Sequence, residues 1–319
     1  MLFIASLFAA IIPMFTYLLI IWRTDRYDRE PFSLIIINYI YGAVGAILLA
    51  VIGSELIAAM ISYILQNEEM MLRIQTIFVA PVVEETTKGF FLFLMVANKK
   101  FDNITDGIVY GGAIGLGFGM TENFFYFVFY SHSFQDWLSI VIIRTLFSGV
   151  MHCVSTGTLG AFLGYAKFKS GIIKMTFPLI GLGAAMFIHF LWNLSVSFDS
   201  TAMLGFLFLI ITIAIFVTVF SISLMGEKKI ILRELQTENE NGLIPQEHLL
   251  ILNSNRRNKP GWIDESIRKL YIRAAITLAF RKLQSRNSTG VSKNYYDQDI
   301  EHYRKFIRNL ISGTANPND

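Results

Sequence analysis

Two adjacent glutamates, Glu84 and Glu85, lie within an apolar stretch of this 319-residue chain. Ionisable side chains in such stretches are costly in a bilayer, so they usually face the protein interior, pair with another group and serve a function. Lys88 follows Glu84 by four residues and shares its helical face, where an ion pair would stabilise both charges. Pro81 removes a backbone hydrogen bond just before the pair. Such a pair could fasten two helices together, or a glutamate in it could act as a general base.

A second polar stripe lies in a later apolar stretch. Arg144, Ser148, His152 and Thr156 recur at four-residue intervals, so they share one face of a helix. A lone buried histidine is more often a hydrogen-bonded packing residue than a ligand or a catalyst. The polar groups that accompany this histidine favour a polar cavity instead.

Two further polar groups complete the set. His189 and Asn193 are four residues apart and share a helical face. The dipeptide Glu122-Asn123 ends a row of glycines at four-residue intervals, a pattern that lets a neighbouring helix approach closely. We expect Arg144 to form an ion pair with Glu122 or Glu85.

Composition indicates an all-α fold, a polytopic transmembrane helix bundle with a helical cytoplasmic tail. Hydrophobic residues make up 54% of the chain and charged residues 16%, against roughly 25% charged residues in soluble domains. A bilayer core needs about 20 mostly apolar residues per helix. Residues 1–225 form the predicted bundle, and residues 226–319 form the basic tail. Within the tail, 237–241 and the residues around 253–260 are predicted to be polar linker, and 264–283 is predicted to be a helix. Seven stretches qualify as spans: 2–22, 32–65, 74–97, 106–130, 137–166, 176–198 and 202–225.

The loops between these stretches predict an orientation. Lysines and arginines cluster after the first, third, fifth and seventh stretches, whereas the alternate loops hold only Arg73. Basic loops face the cytoplasm, which places the N-terminus outside the cell membrane and the C-terminus in the cytoplasm. The tail carries 16 lysines and arginines against 11 aspartates and glutamates, as expected for a segment near anionic lipid. The predicted partners are the lipid bilayer and a membrane protein, and no nucleic acid.

The chemistry of the polar groups suits hydrolysis. A glutamate can activate water, and a histidine or an asparagine amide can stabilise the oxyanion that forms on an attacked carbonyl. One glutamate and two histidines could instead hold zinc while a second glutamate activates water. The sequence lacks the H-E-x-x-H pattern of soluble zinc proteases, a serine within G-x-S-x-G and an aspartate pair in the spans.

Four ordered blocks resemble the PrsW family of polytopic intramembrane proteases. They also resemble, more distantly, the superfamily of CAAX prenyl endopeptidases and bacteriocin-processing enzymes. The resemblance covers residues 78–193. The blocks are A-P-x-x-E-E-x-x-K at 80–88, G-x-G-F-G-M-T-E-N at 115–123, R-x7-H-x3-T at 144–156 and H-x2-W-N at 189–193.

The resemblance implies a role for each catalytic candidate. Glu84 would activate water, and Glu85 would assist it or act as a metal ligand. His152 and His189 would be metal ligands or would orient water and the oxyanion, with Asn193 beside them.

The resemblance is less informative for the supporting residues. Lys88 stands where the superfamily usually has arginine. Glu122 and Asn123 have no clear counterpart in the prenyl endopeptidases. Arg144 belongs to the third block and would support the site.

The resemblance also implies a substrate, a single-span membrane protein such as an anti-sigma factor in stress signalling. With the predicted orientation, Glu84, His152 and His189 lie in the middle of the membrane or slightly toward its outer side. That depth favours a cut near the extracytoplasmic side. Two other classes of protein fit the same buried groups. One is a transporter or channel, although the spans show no internal repeat. The other is a non-catalytic scaffold or receptor.

Overall fold

The computed structural model describes residues 2–313, and this part of the chain contains helices and no strand. The all-α prediction is confirmed. The α-helices are α1 Leu2–Thr24, α2 Phe32–Ile40, α3 Ile47–Ser62, α4 Glu68–Ile74, α5 Ala80–Met95, α6 Ile104–Phe129, α7 Phe134–Ile143, α8 Gly149–Ala166, α9 Gly171–Val196, α10 Ala202–Glu240, α11 Gln246–Leu252, α12 Glu265–Arg286 and α13 Gly290–Ile311. Three π-helical turns join consecutive helices, and they are Tyr41–Ala46, Gln75–Val79 and Arg144–Ser148.

Five helical stretches in the described chain are long and apolar enough to cross a membrane, as expected for a multi-pass membrane protein. They are Leu2–Thr24, Phe32–Ser62, Phe134–Ala166, Gly171–Val196 and Ala202–Glu240. The predicted spans at 74–97 and 106–130 are not among them. The first of these contains two glutamates and a lysine, and the glycines of α6 lower the mean hydropathy of the second. The count of seven spans therefore stays a prediction.

Helix α6 packs along α8 at backbone contact distance. A Cβ atom at Gly107 would overlap the carbonyl oxygen of Gly160, and a Cβ at Gly160 would overlap that of Gly107. The predicted glycine row is therefore a packing surface, as small residues are in membrane helices. Cys153 belongs to the same contact, because its Sγ would lie 3.2 Å from a Cβ at Gly112.

Helix α6 begins at a capping box. The Asn103 side chain accepts a hydrogen bond from the Asp106 N–H at 3.2 Å, and the Asp106 carboxylate accepts one from the Asn103 N–H at 3.1 Å. This reciprocal pairing satisfies two N–H groups that a helix start leaves free. It fixes the start of the glycine-rich helix at Ile104, three residues before Gly107.

Internal contacts divide the chain into two compact units. Among the described residues, one unit contains 2–25 and 29–221, and the other contains 26–28 and 222–313. The second unit has its own apolar core, which includes Leu235, Tyr271 and Leu278. The sequence predicted a helix at 264–283, which the structure extends to Arg286, and it did not predict α13.

The polar linker predicted at 237–241 is wrong, because α10 continues to Glu240. Its residue Glu238 has partners within the second unit. Lys282 donates to the Glu238 carboxylate at 2.6 Å, and Arg304 donates to it at 2.7 Å. These contacts stabilise helical structure in a stretch whose composition resembles a solvated linker.

The close approach of α6 and α8 predicts an unequal response to alanine at two helical glycines. Gly107→Ala should lower the free energy of unfolding by about 1–3 kcal/mol, because the methyl group meets a backbone carbonyl that cannot move independently. Gly183→Ala in α9 is the matched control, since nothing lies within 4 Å of its Cβ position. Denaturant unfolding of both variants in detergent measures the difference. Equal stability of the two variants would contradict the packing described here.

Candidate active site

Glu85 is the most fully bound carboxylate of the site. Its Oε1 atom lies 2.8 Å from Nζ of Lys88 and 3.0 Å from Nδ1 of His189. Ser155 donates to the same oxygen at 3.1 Å, and Thr156 donates to Oε2 at 3.0 Å. The side chain has no solvent exposure. Glu85 therefore joins α5 to α8 and α9, and both of its oxygens are engaged.

Glu84 has a different environment although it is the next residue. Its Oε2 atom lies 3.5 Å from Nζ of Lys88 and 3.9 Å from Nε2 of His189. The second distance is beyond a direct hydrogen bond, and 13% of the side chain is exposed. The Glu84 carboxylate is therefore at the accessible edge of the cluster.

Lys88 supplies the buried positive charge of the site. Its ammonium group contacts Glu85 at 2.8 Å, Glu84 at 3.5 Å and Nδ1 of His152 at 2.9 Å. It also lies 3.9 Å from the ring centroid of Phe118, which adds a cation–π contact. The expected pairing of Lys88 with Glu84 is present. The shorter contact of Lys88, however, is with Glu85, the residue that follows Glu84.

His152 lies between two charged groups. An ammonium group can only donate, so Nδ1 of His152 accepts from Lys88, and a neutral ring then carries its proton on Nε2. That Nε2 lies 2.8 Å from Oε2 of Glu122. Arg144 contacts the same Glu122 oxygen at 2.5 Å and donates through Nε to Asn123 at 3.0 Å. Of the two carboxylates predicted for Arg144, the structure pairs it with Glu122.

Two of the π-helical turns lie next to this cluster. Arg144 is the first residue of the turn Arg144–Ser148, and the turn Gln75–Val79 ends just before Pro81. A π turn inserts an extra residue into the helix and rotates the side chains that follow, and such turns often occur at functional sites. They therefore influence the direction of Arg144 and of the glutamates.

The structure brings most of the predicted site residues together. Asn193 is apart from the rest, because its Nδ2 donates to the carbonyl oxygen of Thr76 at 2.8 Å. The sequence did not single out Ser155, although it follows His152 by three residues and so lies on a neighbouring part of the same helical face. The residues in mutual contact are Glu84, Glu85, Lys88, Glu122, Asn123, Arg144, His152 and His189.

Three of these residues suit a metal ion. Ligand atoms of Glu84, His152 and His189 all lie within 4.8 Å of one another. One carboxylate and two imidazoles are a donor set that zinc accepts. The sequence predicted Glu85 as the carboxylate ligand, but the structure places Glu84 in this group. Glu85 instead contacts Nδ1 of His189. A carboxylate at that nitrogen orients a histidine so that Nε2 is presented to a metal. The residues therefore fit a divalent cation.

Comparisons with known proteins agree with the resemblance seen in the sequence. A model described as PrsW family intramembrane metalloprotease matches residues 30–222. The Protease PrsW of Oceanobacillus iheyensis is 29% identical over 191 residues, which are 60% of this chain and 82% of that protein. The Protease PrsW of Bacillus subtilis is 26% identical over 190 residues, 58% of this chain and 79% of that protein. No solved structure matches this chain.

The burial of Lys88 predicts that it contributes far more to stability than an exposed lysine or arginine does. Lys88→Met should lower the free energy of unfolding by about 3–5 kcal/mol, because it leaves buried carboxylates without their cation. Arg73→Met is the matched control, since Arg73 pairs with Glu69 at 3.1 Å on the surface, where such pairs contribute about 0–1 kcal/mol. Unfolding in detergent measures both. Similar losses in the two variants would show that the Lys88 contacts are not important for stability.

Proposed function

Since this chain belongs to the PrsW family of intramembrane metalloproteases, we propose that it hydrolyses a peptide bond in a single-span membrane protein, with Glu84 activating the water. The contrast between the adjacent glutamates carries the proposal. Both oxygens of Glu85 are engaged by partners, whereas the Glu84 side chain is 13% exposed. A general base must come within hydrogen-bond reach of the proton that it removes.

The space between Glu84 and His189 suits the attacking water. The 3.9 Å gap between Oε2 of Glu84 and Nε2 of His189 exceeds a direct hydrogen bond, and a water between them could bind both. Glu85 holds Nδ1 of His189 and so orients the ring. As the water oxygen bonds to the carbonyl carbon, Glu84 takes a proton. When the C–N bond breaks, that proton passes to the leaving nitrogen, and the products are a carboxylic acid and an amine.

The negative charge that develops on the carbonyl oxygen needs donors. Arg144 and Nε2 of His152 meet at Glu122, of which 22% is exposed. We assign these two groups to the oxyanion, because positioned donors there stabilise the transition state more than the ground state. Asn123 holds the guanidinium of Arg144 from the buried side.

A divalent cation, which we propose to be zinc, would be held by Glu84, His152 and His189. When bound, such a cation supplies Lewis acidity, which makes water a stronger acid and polarises a carbonyl. In that arrangement Glu84 is a ligand, and Glu122 is the other carboxylate with exposure at the site. A neutral imidazole binds a metal through its unprotonated nitrogen, so Nε2 of His152 would be a ligand only in the tautomer that carries its proton on Nδ1, the nitrogen that Lys88 contacts.

We further propose the substrate class and the cellular setting. The resemblance to PrsW proteins supports a single-span substrate of the anti-sigma-factor type, cut near its extracytoplasmic end in stress signalling. Alternating basic loops support an N-terminus outside the cell and a cytoplasmic C-terminus. Family membership favours this function over a transporter or a scaffold.

Removing the base should abolish cleavage without unfolding the protein. Glu84→Gln is nearly isosteric, and we expect it to slow cleavage of a co-reconstituted single-span reporter by about 10²–10⁴-fold, the contribution of general-base catalysis. Glu55→Gln, on the exposed surface of α3, is the control and should cleave normally. Gel analysis of reporter fragments measures both. Full cleavage by Glu84→Gln in purified protein would rule out Glu84 as the base.

Metal analysis of the purified protein should separate the two hydrolytic mechanisms. If zinc is resident, elemental analysis should give about one ion per chain, and His189→Ala should lose it because a neutral ligand is removed. His132→Ala, in an exposed loop, is the control and should retain the ion. Reporter cleavage by protein that contains no metal and resists chelators would support the glutamate-only mechanism.

A further inference from the structure

Asn193 lies one helical turn after His189 on α9, yet its amide group contacts backbone. Its Nδ2 atom donates to the carbonyl oxygen of Thr76 at 2.8 Å. Thr76 is the second residue of the π turn Gln75–Val79. Asn193 therefore reaches the segment that leads into α5, whereas His189 reaches α5 itself.

The Thr76 carbonyl needs this side chain because of the local backbone. In this helix the N–H of Ala80 donates to the carbonyl of Gln75, five residues earlier. Pro81 has no N–H, so the described helix offers Thr76 no donor at the fourth or the fifth position after it. Thr76 is partly buried, and a carbonyl withdrawn from water without a donor is costly. The π turn and the proline together leave an acceptor that the Asn193 amide fills.

We propose that Asn193 is a positioning residue, which binds the carbonyl freed by the π turn and Pro81 and so fixes Glu84 relative to His189. The inference rests on the proposed function, in which Glu84 activates the water. It differs from the role that the resemblance implies, in which Asn193 stands beside the histidines at the oxyanion or the water.

Two hydrogen bonds, made by residues one turn apart on α9, connect this helix to the segment that carries the glutamates. His189 contacts Glu85 at 3.0 Å, and Asn193 contacts Thr76 at 2.8 Å. The rings of Phe78 and Phe190, with centroids 5.2 Å apart, add a third contact between α9 and the same segment. A single attachment would allow α5 to pivot, whereas two attachments fix its tilt. The tilt sets the gap of 3.9 Å between Glu84 and His189.

A double-mutant cycle with Pro81 tests this role. Pro81→Ala supplies the missing N–H, which can donate to Thr76 in place of the amide. In the natural Pro81 background, Asn193→Ala should lower kcat by about 100-fold with little change in KM, as expected for a catalytic group misplaced by about 1 Å. In the Pro81→Ala background the same substitution should lower kcat by less than about fivefold, because the two changes are coupled. Reporter cleavage by the full chain in liposomes gives both ratios.

Equal loss of kcat in the two backgrounds would overturn the proposal, because an amide that touches the substrate cannot be replaced by a distant backbone N–H. Asn193→Asp keeps the shape and removes the donor, so it serves as the second variant if Asn193→Ala does not fold. Glu84→Gln should lower kcat by the same factor in both backgrounds, since Pro81→Ala cannot restore a base. Cleavage by Glu84→Gln would refute the proposed function, and the Asn193–Pro81 coupling would still be measurable.

Discussion

The contact between Lys88 and Glu85 organises the site, because both side chains are fully buried and neither is tolerated without the other. The ammonium group also reaches Glu84 and His152, so one positive charge holds groups from two helices. The remaining hydrogen-bonding positions of Glu85 are filled by hydroxyl and imidazole groups from α8 and α9. The adjacent glutamates thus have distinct environments, since Glu85 is fully enclosed and Glu84 is 13% exposed.

Packing between α6 and α8 makes this network possible. Glycines bring the two backbones into contact, so the part of α8 that carries His152 lies directly against α6. At the end of the same glycine row, Glu122 meets His152 and Arg144. On the side of α6 and α8, backbone contact therefore holds the site residues in place. On the side of α5 and α9, side-chain contacts hold them in place.

Much of the site could be predicted from helical spacing, and the failures have a common cause. Spacing placed Glu84 with Lys88, because a four-residue interval holds within regular α-helix. Charge complementarity predicted a carboxylate partner for Arg144 but left Glu122 and Glu85 as alternatives. Spacing could not reveal three π turns, since inserted residues change the register without a clear sequence signal other than Pro81. It also could not distinguish Glu84 from Glu85, or find the backbone target of Asn193, because those depend on contacts with distant helices. The number of spans is a separate matter and stays a prediction, because a buried glycine-rich helix such as α6 need not be strongly apolar.

The packing of Cys153 has a practical consequence. It is the single cysteine of the chain, it is 4% exposed, and it lies within the contact between α6 and α8. A thiol shielded in this way reacts slowly with maleimides and methanethiosulfonates. Spin labels or fluorophores attached to introduced surface cysteines would therefore report their own positions against a silent background. Spectroscopic distance measurements across α5 and α9 therefore do not require replacement of the natural cysteine.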